Sequence, residues 1–303
     1  MRAVRAHAYG GVDVLQFEEA PRPQPGAGEV LIRARAASVN PIDWKFRAGY
    51  LKDFVPVSFP FTPGRDVSGV VESVGSGVTK MKSGDEVYAL TNGTYAEYVV
   101  AKETDVALKP KSIDHAQAAA IPLGALTAWQ ALFEKAKVAR GQKVLIHAAA
   151  GGVGGFAAQL AKWKGAHVVG TGSNEATLRQ LGVDQPIDYR KVRFDDAVTD
   201  VDAVLDTIGG ETQQRSWKVL KRGGILISIV APPSAEEAAR VGARGELLLT
   251  HASGAQLTEI AQLVDAGHLK PVVASVLPLA EARRAQEISE SGHAQGKIVL
   301  QIA

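Results

Sequence analysis

Residues Lys143–Lys162 read KVLIHAAAGGVGGFAAQLAK. Val144, Leu145 and Ile146 form a short apolar run of the kind found in a parallel sheet covered on both faces. Ala149-Ala150-Gly151-Gly152-Val153-Gly154 follows, and then Phe156, Ala157, Leu160 and Ala161 recur at helical spacing. Strand, glycine turn and helix, in that order, are the setting in which G-x-G-x-x-G binds a dinucleotide. Ala149 stands at the first glycine position. Gly151 lets the backbone approach a pyrophosphate, and Gly154 lets the helix pack closely on the strand. The helix N-terminus that starts in this turn, with Gly152 and Val153 between those two glycines, offers unpaired N–H groups to phosphate.

Working outward, further strands are expected at Ala166–Thr171, Pro186–Tyr189, Val201–Ile208, Gly224–Val230 and Glu246–Thr250. Helical spacing lies between them, as in Thr212–Leu220, and ahead of them, in Leu123–Ala136. Strands alternating with helices imply a doubly wound parallel sheet, a Rossmann-type α/β domain. Residues 1–120 read instead as β-rich. The expected strands include a run around Val30–Ala34, Asp66–Val74 and Glu86–Leu90, with Asn92-Gly93 as a hairpin signal before a returning strand at Tyr95–Ala101. From Ser38-Val39-Asn40-Pro41-Ile42-Asp43 the chain is expected to run as a long loop to Pro63, carrying Trp44, Tyr50, Phe54, Phe59 and Phe61. Residues 268–303 read β-α-β and, from the residues alone, fit either domain.

At 303 residues the chain is long enough for about two domains, and a net charge of +2 with no block of Lys or Arg argues against nucleic acid as a partner. There is no cysteine, which excludes disulfides and thiolate chemistry and fits a reducing compartment. No apolar signal core or membrane-length apolar run is visible, so the expected location is cytoplasmic. The histidines at 7, 115, 147, 167, 251, 268 and 293 show no i, i+4 pair, and His147, ending a strand, reads as a packed residue.

Ser38–Asp43, Pro63-Gly64-Arg65-Asp66-Val67-Ser68-Gly69, Gly84-Asp85-Glu86-Val87 and Leu126-Thr127-Ala128-Trp129 carry a family resemblance, together with the glycine turn, Ile187-Asp188-Tyr189, Asp206-Thr207-Ile208-Gly209-Gly210 and Gly296-Lys297-Ile298-Val299. In that order they resemble the zinc-independent quinone oxidoreductases of the medium-chain dehydrogenase/reductase superfamily. The resemblance implies a discontinuous GroES-like β-rich domain for substrate, 1–122 with 268–303, and a Rossmann domain over 123–267. It also implies a homodimer, for which Glu246–Thr250 would be an edge strand. Zinc-dependent relatives place a cysteine where this chain has Asn40 and a His-Glu pair where it has Arg65-Asp66, so no zinc is expected.

NADPH is expected over NADH. The end of the second Rossmann strand carries no carboxylate, while Ser173 and Asn174 can donate to a 2′-phosphate. The resemblance adds Tyr189 near that phosphate and Lys297 near the cofactor. Many relatives carry a Lys or Arg shortly after Ser173, and this chain is shortened there. Gly209 and Val230 are expected at strand C-terminal ends, lining the cofactor. Asn40 is the candidate for hydrogen-bonding a substrate carbonyl, Thr127 for the cofactor, and Tyr50 for donating a proton or stacking. Asp43 and Phe54 are further candidates for substrate contact. The substrate expected is a small quinone or enone. The alternatives are an enoyl-thioester reductase and a weakly active NADPH-binding protein in a regulatory or structural role.

Overall fold

The computed structural model describes residues 1–292 and 294–302; His293, among the histidines considered above, lies outside them. In chain order its strands are β1 (Arg2–Ala6), β2 (Leu15–Glu19), β3 (Glu29–Val39), β4 (Asp66–Val74), β5 (Glu86–Leu90), β6 (Tyr98–Lys102), β7 (Val106–Leu108), β8 (Lys143–Ile146), β9 (His167–Gly172), β10 (Gln185–Asp188), β11 (Val201–Asp206), β12 (Leu220–Ser228), β13 (Arg244–Leu247), β14 (Val273–Pro278) and β15 (Lys297–Gln301). The chain divides into two compact units, Met1–Leu123 with Ala252–Gly267 and Pro271–Ala303, and Gly124–His251 with His268–Lys270. The helix Gly254–Asp265 thus belongs to the first unit, with Gly254 closed against the backbone of Val106.

The second unit is built on a parallel sheet in the order β10-β9-β8-β11-β12-β13. Leu145 of β8 sits opposite Val169 of β9 and Val204 of β11. These residues join Leu226, Val219 and Trp217 in one buried core, which explains the unbroken apolar character of the central strand. The glycine turn leads into the helix Gly154–Trp163, which buries Phe156, Ala157, Leu160 and Ala161.

The first unit is a β-rich fold with its longest strand, β3, at the centre. β3 pairs antiparallel with β4, β6 and β15, and the outer order is β14-β15-β3-β4-β5-β7. Ile298 sits opposite Val39 and Leu300 opposite Ala37, so the β-α-β stretch 268–303 completes this sheet. Val30, Ile32, Val67, Val71, Val87 and Val99 pack beneath it.

Three expectations are corrected. Asn92-Gly93 is a turn, with Gly93 at φ +76°, but it does not close a hairpin. β6 pairs with β3 rather than β5, because residues 95–97 are drawn onto β1: Val4 N–H donates to the Tyr95 carbonyl (2.8 Å) and Ala3 sits opposite Ala96. The stretch after Asn40 is not loop throughout. Pro41–Arg47 is a helix, with Pro41 in its first turn, where the missing N–H costs nothing, and Asp43 accepting from the Asn40 N–H (2.8 Å). The last strand of the parallel sheet is Arg244–Leu247 rather than Glu246–Thr250. Glycine argues against a strand, yet Gly245 is needed there: a Cβ at that position would lie 2.8 Å from the Trp217 ring.

Trp217 is almost completely buried and presses on the core side of β13. Replacing it by alanine should lower the stability of the second unit by about 3–5 kcal/mol, seen as a lower urea midpoint.

Candidate active site

The expected cofactor residues, Lys297 excepted, gather in the second unit. Tyr189 follows β10, Ser173 and Asn174 follow β9, Gly151–Gly154 follow β8, Gly209 follows β11 and Val230 follows β12. They therefore lie in a row at the C-terminal ends of adjacent parallel strands, where open α/β sheets take their ligands. A Cβ on Gly154 would collide with the Ala148 carbonyl and lie 2.8 Å from Ala149 Cα, so the helix can approach the strand this closely only with glycine there. Ala148 sits at φ +47°, an uncommon conformation for a residue with a side chain. Thr171 holds it in place. Ala148 N–H donates to Thr171 Oγ1 (3.1 Å) and Ala149 N–H to the Thr171 carbonyl (2.8 Å).

His147 supports Thr171 from beneath. The Ser216 hydroxyl donates to the Thr212 carbonyl (2.7 Å), so it accepts from His147 Nε2–H (2.9 Å). That leaves Nδ1 as acceptor for the Thr171 hydroxyl at 3.3 Å. Burial, with Arg215 adding to it against the opposing pull of Asp206, holds the His147 pKa down at about 4, so the ring is neutral near pH 7. Its role is packing and positioning, as expected from the sequence, and Thr171 is a contributor that the glycine pattern alone did not reveal.

Asp206 organises the other flank. The fully buried Oδ1 accepts from the N–H groups of Ile208 (3.0 Å) and Gly209 (2.8 Å), and Oδ2 from Gln213 Nε2 and Ser228 Oγ (both 2.9 Å). Ser228 Oγ in turn accepts from Val230 N–H at 3.2 Å. One carboxylate therefore fixes the turns carrying both Gly209 and Val230. The signal was readable: an acid ending an apolar strand needs local N–H donors, and Thr207-Ile208-Gly209-Gly210 supplies them. Thr127 shares a hydrogen bond with Thr250 at 2.7 Å. One turn on, in a π-helical segment Gln130–Lys135, the Gln130 amide donates to the His251 carbonyl and accepts from its N–H, so these side chains pin the segment after β13.

The remaining candidates lie in the first unit. Asn40, Asp43 and Lys297 come together around Asp66. Asp66 Oδ2 accepts from Ser38 Oγ (2.6 Å), Asn40 Nδ2 (2.9 Å) and Lys297 Nζ (3.2 Å), while Oδ1 accepts from Leu123 N–H (2.7 Å). Lys297 Nζ also donates to Asn40 Oδ1. Both ends of the Asn40 amide are therefore engaged within the protein. Asp43 Oδ2 accepts from Asn40 N–H and from the Tyr95 hydroxyl (3.0 Å), and its Oδ1 is buried without a hydrogen-bond partner among the described residues. Tyr50 and Phe54 stand apart from this cluster, 67% and 83% exposed, with Tyr50 edge-on to Trp44.

The donor set around Asp66 does not fit a zinc ion. It offers no thiolate or imidazole, and its carboxylate and amide oxygens already bind the Lys297 ammonium. Among the described residues no group of three or more His, Cys, Asp or Glu is arranged to hold a metal. The glycine turn at the C-terminal end of β8 has the chemistry that suits a dinucleotide's phosphates, because it opens the helix Gly154–Trp163 with backbone N–H groups and no acidic side chain, and Gly154 lets that helix close on the strand.

With this geometry in view, the chain belongs to the quinone oxidoreductases of the medium-chain dehydrogenase/reductase superfamily, and it is an oxidoreductase. The family profile for the alcohol dehydrogenase GroES-like domain matches residues 26–111 and that for zinc-binding dehydrogenase residues 181–300. A 2-methylene-furan-3-one reductase of Solanum lycopersicum is 37% identical over 99% of this chain and 79% of its own length. The structure is similar to that of the quinone oxidoreductase from Coxiella burnetii, with TM-score 0.92, 36% identity, and 100% and 99% of the two chains covered. It is also similar to the Escherichia coli quinone oxidoreductase complexed with NADPH, with TM-score 0.90, 30% identity, and 99% and 100% covered.

Burial raises the Asp43 carboxyl from an ordinary 3.8 to about 7, aided by the charge of Asp66, while the Asn40 N–H, the Tyr95 hydroxyl and Lys297 oppose the shift. The folded protein thus holds a proton that the unfolded chain has released, and stability falls as pH rises from about 4 to about 7. His147, with its depressed pKa, gives the opposite slope between about 4 and the usual imidazole value near 6.5. Asp43→Asn keeps an acceptor for Asn40 and Tyr95 but removes the buried charge. Its stability gain over the wild type should be greatest above pH 7 and vanish near pH 4, measured by urea unfolding across that range.

Proposed function

We propose that the protein reduces small quinones and related α,β-unsaturated carbonyls with NADPH, without zinc. The observation that carries this reading is the row of strand ends around Gly151–Gly154, together with a donor set at Asp66 that already holds an ammonium ion. The nicotinamide, when bound, supplies the hydride. The N–H groups of Gly152, Val153 and Gly154 bind the pyrophosphate at the helix N-terminus, while the Gly151 N–H closes the turn onto the Ala148 carbonyl (2.8 Å) and its missing side chain lets the phosphate approach. Ser173, Asn174 and Tyr189 face the 2′-phosphate, Gly209 and Val230 line the cofactor, and Thr127 hydrogen-bonds it.

On the acceptor side, Tyr50 and Phe54 provide aromatic surface to a flat ring, with Tyr50 also able to donate a proton. Asn40, Asp43 and Lys297 belong to the polar cluster of the acceptor-binding unit, in which the Lys297 ammonium is paired with Asp66 and Asn40. A quinone that has accepted hydride is a hydroquinone anion, weakly basic enough for solvent or a single hydroxyl to protonate it. A dedicated acid–base pair is therefore unnecessary. The cysteine-free composition is compatible with a reducing cytoplasmic setting. Among the described residues no helix is long and apolar enough to cross a membrane.

The decisive assay follows NADPH oxidation at 340 nm with quinones, enones and enoyl thioesters side by side and NADH as control. Turnover of quinones with a preference for NADPH is expected. Turnover of enoyl thioesters alone, or NADPH binding without oxidation by any acceptor, would overturn the reading.

We also propose a homodimer. β13 is an edge of the parallel sheet, with Leu247 at its end and Leu249 just beyond it exposed, and an open edge beside exposed leucines invites pairing with a second copy. Sedimentation at micromolar concentration should give twice the mass of 31.9 kDa, whereas a single-chain mass would refute the dimer.

A further inference from the structure

The segment after β9 carries no cation shortly beyond Ser173, but the fold brings one from the neighbouring strand. β10 runs parallel to β9, with Asp188 opposite Gly172. Just past the end of β10, Arg190 Nη2 donates to the Ser173 carbonyl (2.6 Å) and to Asp188 Oδ2 (2.8 Å), while Nε donates to Asp188 Oδ1 (2.9 Å). The Arg190 backbone N–H donates to that same Oδ1 at 3.1 Å. The Asp188 carboxylate thus grips both backbone and side chain of Arg190 and sets the guanidinium plane against the turn carrying Ser173 and Asn174. Nη1 has no hydrogen-bond partner among the described residues, and the side chain remains 56% exposed.

The charges facing this corner leave it positive. Asp188 is shared by Arg190 and Lys191, the latter at 3.6 Å. On the helix Glu175–Gln180, Glu175 is neutralised by Arg179 at 2.8 Å. Asp188 sits opposite Gly172, at the end of β9 where an NAD-dependent sheet keeps a carboxylate for the ribose 2′-hydroxyl, but both its oxygens are already taken up by Arg190.

We infer that Arg190 is the residue that discriminates a ribose 2′-phosphate from a 2′-hydroxyl, its free Nη1 edge donating to the phosphate beside Ser173, Asn174 and Tyr189. A planar guanidinium held by a carboxylate on one edge presents the other in a fixed orientation, which suits a phosphate monoester and gains little from a neutral hydroxyl. The inference rests on the NADPH reading above and names the specificity residue within it.

The test measures binding rather than turnover. Dissociation constants for 2′,5′-ADP, 5′-AMP, NADPH and NADH are determined by calorimetry on the full chain, for the wild type, Arg190→Gln and Arg190→Lys. Arg190→Gln should weaken 2′,5′-ADP and NADPH about tenfold or more, leave 5′-AMP and NADH within about twofold, and flatten the salt dependence of 2′,5′-ADP binding. Arg190→Lys should recover part of the loss. A wild type that prefers 2′,5′-ADP and an Arg190→Gln variant that keeps this preference would overturn the role of Arg190 alone. A wild type that binds both nucleotides equally would overturn the NADPH reading and this inference with it.

Discussion

The second unit depends on a contact in which there is no room for a methyl group. Gly154 brings the helix that follows β8 down onto the backbone of Ala148 and Ala149, and the turn between them takes its shape from that closeness. A residue with a side chain, Ala148, is held there at positive φ. The hydrogen bonds that hold it run through Thr171 and His147 to Ser216, at the end of the helix after β11. A strained turn of this kind persists only where its surroundings over-determine it. Here they do so with neutral groups, which avoids burying a charge beneath the glycine turn.

The first unit solves a different problem. A buried ammonium and a buried carboxylate are stable together only when their hydrogen bonds are filled. Asp66 and Lys297 are 0% and 5% exposed as side chains, and Ser38, Asn40 and Leu123 complete the shell of the carboxylate. An ion pair built into the chain itself thus fills the donor set around Asp66. Asp43, one turn of helix away from Asn40, remains the poorly solvated member, and its proton affinity reflects that.

Much of this was legible from the sequence. The strands Asp66–Val74 and Glu86–Leu90 follow from apolar patterning, and the parallel sheet from alternation with helices. What escaped were features set by distant partners. The rule that glycine breaks strands fails at Gly245, because the Trp217 ring that requires the glycine is 28 residues earlier in the chain. Asn92-Gly93 looks like a hairpin until β1 captures residues 95–97. Arg190 is not legible as a cation beside Ser173 along the chain, because it arrives across a strand pair. Asp66, too, reads only as a departure from a metal motif until Lys297, 231 residues later, is seen beside it.

That separation has a consequence for synthesis. β15 pairs with β3 on one side and β14 on the other, so the central sheet of the first unit is incomplete until residues 297–301 have been made. The whole of 124–251 leaves the ribosome earlier and can fold while the edge of β3 still lacks its partner. During that interval the nascent chain exposes the unpaired edge of β3 at Ala36–Val39, a period in which chaperone capture or mispairing between neighbouring chains competes with completion of the fold.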